Sequence, residues 1–267
     1  MCTIAVMRRV HPDFPLIVAA NRDEFYARAA TRPVVLHDAP RAVGGRDVEA
    51  GGTWMGATQD GFFVGITNQR SWGRFSRAPR SRGTIALRAL AAGSVEAARD
   101  AVRGIDPSEH SSFNLIYGDA SNLEVAYGRR EAGMVELQRL GEGIHVLTND
   151  RIGSPDFPKA DRALTLVAPA QAMPWPELAR ALHTALGDHE LPSEDRVPEP
   201  PPDAPFGRDL VRQLQALCIH TPAYGTRSST LMALGESSVL HYLYADGPPC
   251  TTPYRDVSDL FQGERAT

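Results

Sequence analysis

Lysine is almost missing from this 267-residue chain: Lys159 is the single one, and 27 of the 28 basic residues are arginine. Cysteine is scarce too, with only Cys2, Cys218 and Cys250. An odd number at irregular spacing excludes a disulfide framework, and the spacing shows neither CxxC nor a Cys…His ribbon, so no metal is expected. No apolar run approaches the roughly 18 residues of a membrane span. Basic charge is not in excess: 28 basic against 32 acidic residues gives −4, which sets aside general nucleic-acid binding. Residues 1–9 lack the long apolar core of a signal peptide, because arginine follows a short apolar stretch. A cytoplasmic protein with reduced thiols is the expectation; the composition leaves its oligomeric state open.

What the chain does have is strand signal. Short apolar runs at 3–7, 16–20, 54–56, 62–67, 112–118, 123–127, 143–148, 228–234 and 239–244 are punctuated by turn residues. Asp60-Gly61 between two of them marks a hairpin. Helical spacing appears at 84–92, 95–102, 175–186 and 206–218, with Ser94 as an N-cap and Gly187 just past a helix end. Residues 187–205 are rich in proline and acid and read as a surface loop, since strand signal resumes afterwards. One α+β domain of packed layers over residues 1–267 is expected.

Several positions could carry chemistry. Methionine before a small residue is commonly removed, and Cys2 would then hold a thiol and a free α-amine. An α-amine titrating near 7.7–8.0 can take the thiol proton, which makes nucleophile and base one residue. The polar string Asn21-Arg22-Asp23-Glu24 follows the second apolar run, and an antiparallel pairing with residues 3–7 brings it close to Cys2. A carboxylate there can steady an α-ammonium, and a guanidinium can lower a thiol pKa. By strand alternation Arg22 and Asp23 face opposite ways, and Asn21 with Asp23 is the pair expected to face Cys2.

Asn68 and Asn149 each end a strand within the same Thr-Asn string. Side-chain amides are neutral donors for an oxyanion, although asparagine also favours strand ends as a turn former. Arg227, in Tyr224-Gly225-Thr226-Arg227, offers a planar fork for a carboxylate or carbonyl. The first 90 residues hold 13 arginines against seven acids, and Arg70, Arg74, Arg77, Arg80, Arg82 and Arg88 crowd one segment suited to an anionic ligand. His145 and His220 read as structural, because no second metal ligand lies at a telling spacing.

Together these strings resemble the NRDE family, also called the transport and Golgi organisation protein 2 family. The matching segments run along nearly the whole chain. They are Met1-Cys2, Ala20-Asn21-Arg22-Asp23-Glu24-Phe25, Gly51-Gly52-Thr53-Trp54-Met55-Gly56, Ile66-Thr67-Asn68, Phe113-Asn114-Leu115, Leu147-Thr148-Asn149 and Tyr224-Gly225-Thr226-Arg227. Phe157-Pro158-Lys159 matches except that the family commonly has tryptophan before Pro-Lys. The family in turn is similar to cysteine N-terminal nucleophile hydrolases of the bile salt hydrolase and penicillin V acylase group.

That resemblance implies a four-layer αββα sandwich with two antiparallel sheets between helices. It implies Cys2, Asp23, Asn68, Asn149 and Arg227 as catalytic residues. Asn21, Arg22, Trp54, Arg70, Lys159 and Tyr224 are then expected around a small-molecule ligand or substrate, neutral or anionic. Hydrolysis of a C–N amide bond would need no cofactor. The same resemblance also implies haem trafficking as an alternative, with haem as ligand and no hydrolysis, although the chain has no CxxCH or Cys-Pro haem motif.

Overall fold

The computed structural model describes residues 2–72 and 80–262. Arg74 and Arg77 of the basic segment lie outside them. Two antiparallel sheets are stacked face to face. The six-stranded sheet has the order β10(Gly143–Leu147), β1(Thr3–Arg8), β2(Leu16–Phe25), β11(Tyr224–Leu234), β12(Val239–Ala245), β13(Arg255–Asp256). The seven-stranded sheet is a meander broken by helices: β3(Ala30–Asp38), β4(Arg41–Asp47), β5(Thr53–Thr58), β6(Phe63–Asn68), β7(Phe113–Gly118), β8(Leu123–Arg129), β9(Met134–Leu140).

The apolar runs explain the layering. In β1, Ile4 and Val6 point between the sheets, while Ala5 and Met7 point outward to α3(Pro158–Val167) and α4(Trp175–Leu186). In β2, Leu16, Val18 and Ala20 join the inter-sheet core while Ile17 and Ala19 pack under the same helices. A strand buried on both faces needs a continuous apolar run rather than alternation. Across the molecule, Val64, Ile66, Phe113, Leu115 and Tyr117 face α1(Gly83–Ala92) and α2(Val95–Arg103). The layers are therefore helix, sheet, sheet, helix, an α+β sandwich. Ser94 caps α2 by accepting from the Ala97 amide.

Some elements depart from the sequence reading. β3, β4 and β9 were not expected: β3 carries Pro33, β4 has glycine at 44 and 45, and the edge strand β9 is largely exposed. The helix expected at 206–218 is realised only as α5(Arg208–Gln213), and α3 begins at Pro158 directly after Phe157. β2 runs on to Phe25 and so carries the whole polar string Asn21–Glu24 within the strand.

Candidate active site

The strand registers assemble the site. Thr3 pairs with Asn21, so the next step along the ladder sets Cys2 opposite Arg22, and Arg22 pairs with Ser228 on β11. Cross-strand neighbours share a face, so Cys2, Arg22 and Ser228 point together between the sheets. The space beside Cys2 is small, about 10 Å³, and is lined by Ile4, Ala20, Arg22, Trp54, Ile66 and Ser228 among others. Arg22 is 6% exposed and its guanidinium lies 4.3 Å from the centre of the Trp54 ring, reaching across from one sheet to the other. Cys2 Sγ sits 4.0 Å from the Asp23 carbonyl oxygen, which also accepts a hydrogen bond from the Tyr224 hydroxyl at 2.8 Å. Burial pushes the Cys2 thiol pKa up; the Asp23 carboxylate adds to this and Arg22 opposes it.

Strand alternation holds here, but the face is the reverse of the expected one. Arg22 shares the face of Cys2, while Asn21 and Asp23 point to the helical layer. Asn21 spends its amide there, donating at 2.8 Å to both the Leu186 and Leu217 carbonyls and accepting from Ser229 Oγ at 2.6 Å. Its side-chain amide is therefore committed to the helical side, while the residue still borders the space beside Cys2. Asp23 Oδ1 accepts from Thr226 Oγ1 at 2.7 Å, and Asp23 Oδ2 lies 3.7 Å from Lys159 Nζ. Both side chains of that ion pair have zero exposure. Burial raises the Asp23 pKa and Lys159 pulls it back; burial lowers the Lys159 pKa and Asp23 pulls it back. The lone lysine of the chain thus stands behind the site as a buried counter-charge, not in a ligand pocket.

The two Thr-Asn strings meet each other. Thr67 Oγ1 donates to the Thr148 carbonyl at 2.6 Å, and Asn149 Nδ2 donates to the Asn68 carbonyl at 2.6 Å. These bonds join β6 of one sheet to the end of β10 in the other, at the end of β1 that carries Cys2. Asn149 is 2% exposed, whereas the Asn68 side chain is exposed. An amide nitrogen has two N–H groups, so Asn149 keeps one beyond its bond to Asn68.

Arg70 is held by Asp156 and lies 4.2 Å from the Trp72 ring and 4.9 Å from the Phe157 ring, so its charge is already matched. Arg227 occupies the extra position of a β-bulge between Thr226 and Ser228, and its Nε is buried with no hydrogen-bond partner among the described residues. Bulges re-aim side chains next to functional sites. Two residues that had no individual role in the sequence reading matter. Thr226 relays between the Asp23 carboxylate and the Ile219 amide. Arg82, at the start of α1, is lowered in pKa by burial, with partial compensation from Glu24 and Cys2. Only the fold brings residue 82 within electrostatic reach of residue 2.

Two packed antiparallel sheets flanked by helices make an α+β sandwich, with Cys2 directly ahead of β1, one strand in from the edge of the six-stranded sheet. Solved structures agree. Two crystal structures of conjugated bile acid hydrolase variants from Clostridium perfringens superpose with TM-scores of 0.58 and 0.56. The first shares 12% identity, covering 98% of this chain and 95% of that one. The second shares 11%, covering 99% and 95%. Identities this low speak for the fold alone. The chain belongs to the Transport and Golgi organisation 2 family, whose pattern it matches over residues 1–244. It is 30% identical over 234 residues to the Transport and Golgi organization protein 2 homolog of Bos taurus, covering 82% of each protein. It is 27% identical over 237 residues to the Homo sapiens homolog, again covering 82% of each.

Proposed function

We propose that the protein is an N-terminal-cysteine hydrolase acting on a C–N amide bond of a small molecule. The observation that carries this reading is the row of Cys2, Arg22 and Ser228 on one face between the sheets, with the buried Asp23–Lys159 pair behind it. The thiol is held neutral by burial, so attack needs a base at hand. With Met1 removed, the α-amine of Cys2 is that base. It takes the thiol proton as sulfur bonds to the carbonyl carbon. The negative charge moves to oxygen, where the second N–H of Asn149 receives it. As the C–N bond breaks, the α-ammonium returns the proton to the leaving amine. Water, deprotonated by the same α-amine, then cleaves the thioester.

Asp23 steadies the ammonium form, being close enough for its charge to act on Cys2. Arg22, on the same face as Cys2, supports the thiolate. Arg227, with its buried unbonded Nε, is left to hold a substrate carbonyl or carboxylate. Asn68 contributes its backbone carbonyl, which positions Asn149. Trp54 forms a wall, and Tyr224 holds the Asp23 carbonyl that Cys2 Sγ approaches.

The test is the alkylation rate of Cys2 against pH, read by intact mass and peptide mapping, beside a screen of amide substrates. The expected result is loss of Met1, a Cys2 rate that rises as the α-amine deprotonates near pH 7.7–8.0, and amide cleavage that Cys2→Ala abolishes. Retained Met1, or cleavage that survives Cys2→Ala, would overturn the reading. A parallel haem titration tests the carrier alternative: tight haem binding that collapses in Cys2→Ala, with no amide cleaved, would replace hydrolase by carrier.

A further inference from the structure

Away from Cys2, four side chains from three segments converge on the helical side of the six-stranded sheet. The ligand atoms of His189, Cys218, His220 and Cys250 all lie within 4.8 Å of one another. Cys218 Sγ is 3.6 Å from Cys250 Sγ and 3.7 Å from His220 Nε2, and His220 Nε2 is 3.2 Å from Cys250 Sγ. A tetrahedral zinc ion with bonds of about 2.0–2.3 Å sets its ligand atoms roughly 3.3–3.8 Å apart. The sulfurs are not bonded to each other, because a disulfide requires about 2.05 Å. We propose that these four residues form a structural Cys2His2 site for zinc or a similarly thiophilic divalent cation.

The surroundings are built for this. His189 Nδ1 lies 2.9 Å from the Cys218 carbonyl. A carbonyl can only accept, so Nδ1 carries the proton and Nε2 is left with its lone pair. A ligating histidine typically has its other ring nitrogen tied to a backbone carbonyl in this way. The backbone around each ligand is fixed independently of any metal. The Cys218 amide donates to the Asp188 carbonyl at 2.9 Å, and His183 Nε2 donates to the Pro249 carbonyl at 2.8 Å, next to Cys250. Arg162 pins Asp188 and Glu190 on either side of His189. Four protein ligands close the coordination sphere, which is the pattern of a structural rather than catalytic zinc. Two thiolates balance the 2+ charge, so binding Zn²⁺ displaces the thiol protons to solvent and needs no redox partner.

The site also has a reason to be there. Asn21 clamps the Leu186 and Leu217 carbonyls, which lead into His189 and Cys218. Thr226, bonded to Asp23, accepts from the Ile219 amide between Cys218 and His220. Zinc would therefore brace the loops that hold Asn21 and Asp23 from behind. The sequence expectation of no metal, and of a merely structural His220, is replaced by this proposal.

The experiment uses the full chain, stripped of metal and titrated with Co²⁺ and then Zn²⁺. The expected result is about one ion per chain, with the visible bands of tetrahedral Co²⁺ and a sulfur-to-cobalt charge-transfer band. Cys250→Ser and His220→Asn, both at exposed positions, should each weaken binding by at least about tenfold, while Cys2→Ala leaves it unchanged. Binding without the sulfur band, binding indifferent to Cys250→Ser and His220→Asn, or no binding by the fully reduced protein would overturn the proposal. So would a Cys218–Cys250 disulfide persisting in protein kept under reductant. None of these results depends on whether an amide is cleaved.

Discussion

At the scale of single residues, the lone lysine has the sharpest consequence. Lys159 is the ammonium facing a buried carboxylate, so Lys159→Met leaves Asp23 without its cation. Removing one partner of a buried pair costs about 3–5 kcal/mol. The loss must depend on pH in a definite direction. Burial already raises the Asp23 pKa, and losing Lys159 raises it further. The native variant then binds a proton that the unfolded chain, with a carboxyl pKa near 3.9, does not hold. Stability relative to the native sequence is regained as pH falls through the raised value. Urea unfolding at pH 7 and pH 5 should give the larger loss at pH 7; equal losses would mean that Asp23 carries no buried charge. Asn149 makes the second prediction at this scale. Under the proposed chemistry its spare N–H serves the oxyanion, and Asn149→Ala should slow turnover by at least about tenfold. Unchanged turnover would take it out of the reaction.

At the scale of elements, β4 and β5 illustrate why glycine can matter more than the side chains around it. A Cβ on Gly45 would collide with Trp54 Cη2 and Cζ2, so the edge of the indole occupies the space that a side chain there would need. The same indole supports Arg22 in the row with Cys2. Gly45→Ala should cost about 1–3 kcal/mol by overpacking and displace the ring, altering tryptophan fluorescence. Unaltered fluorescence and stability would mean the ring has room elsewhere. β4 also shows what was hidden in the sequence. Strands buried on both faces, such as β1 and β2, announce themselves as apolar runs. β4 gives no such signal, because Gly44 and Gly45 yield their space to neighbours and pattern reading sees only side chains. The site was legible in part. Alternation correctly separated Arg22 from Asp23, but only the register with β1 decides which of them meets Cys2. Ligands such as His189, Cys218, His220 and Cys250 sit on three loops whose approach depends on α4, α5 and β12, so no local spacing could reveal them.

At the scale of the whole molecule, access to Cys2 is a matter of how the two sheets face each other. Cys2 and Arg22 belong to the six-stranded sheet, and Trp54 and Ile66 to the seven-stranded one. The Thr67–Thr148 and Asn149–Asn68 bonds fasten the sheets near this end, and the Arg22–Trp54 stack spans them again. The space of about 10 Å³ beside Cys2 holds roughly one water. Any amide substrate therefore needs displacement of the indole or its guanidinium partner, and the opening has to be larger for a bulkier reagent. This can be measured with iodoacetamide and a fluorescein-linked iodoacetamide, each rate at Cys2 divided by the rate with free cysteine. The small reagent should be favoured by at least about tenfold, since close-packed interiors yield little without a concerted shift. Trp54→Ala removes the wall contributed by the opposite sheet and should collapse that ratio towards unity, with Cys2 reacting faster with both reagents. If the ratio is already near unity in the native sequence, Cys2 is reached from outside the sandwich. The row with Arg22 and Trp54 would then lose its claim to be the substrate channel.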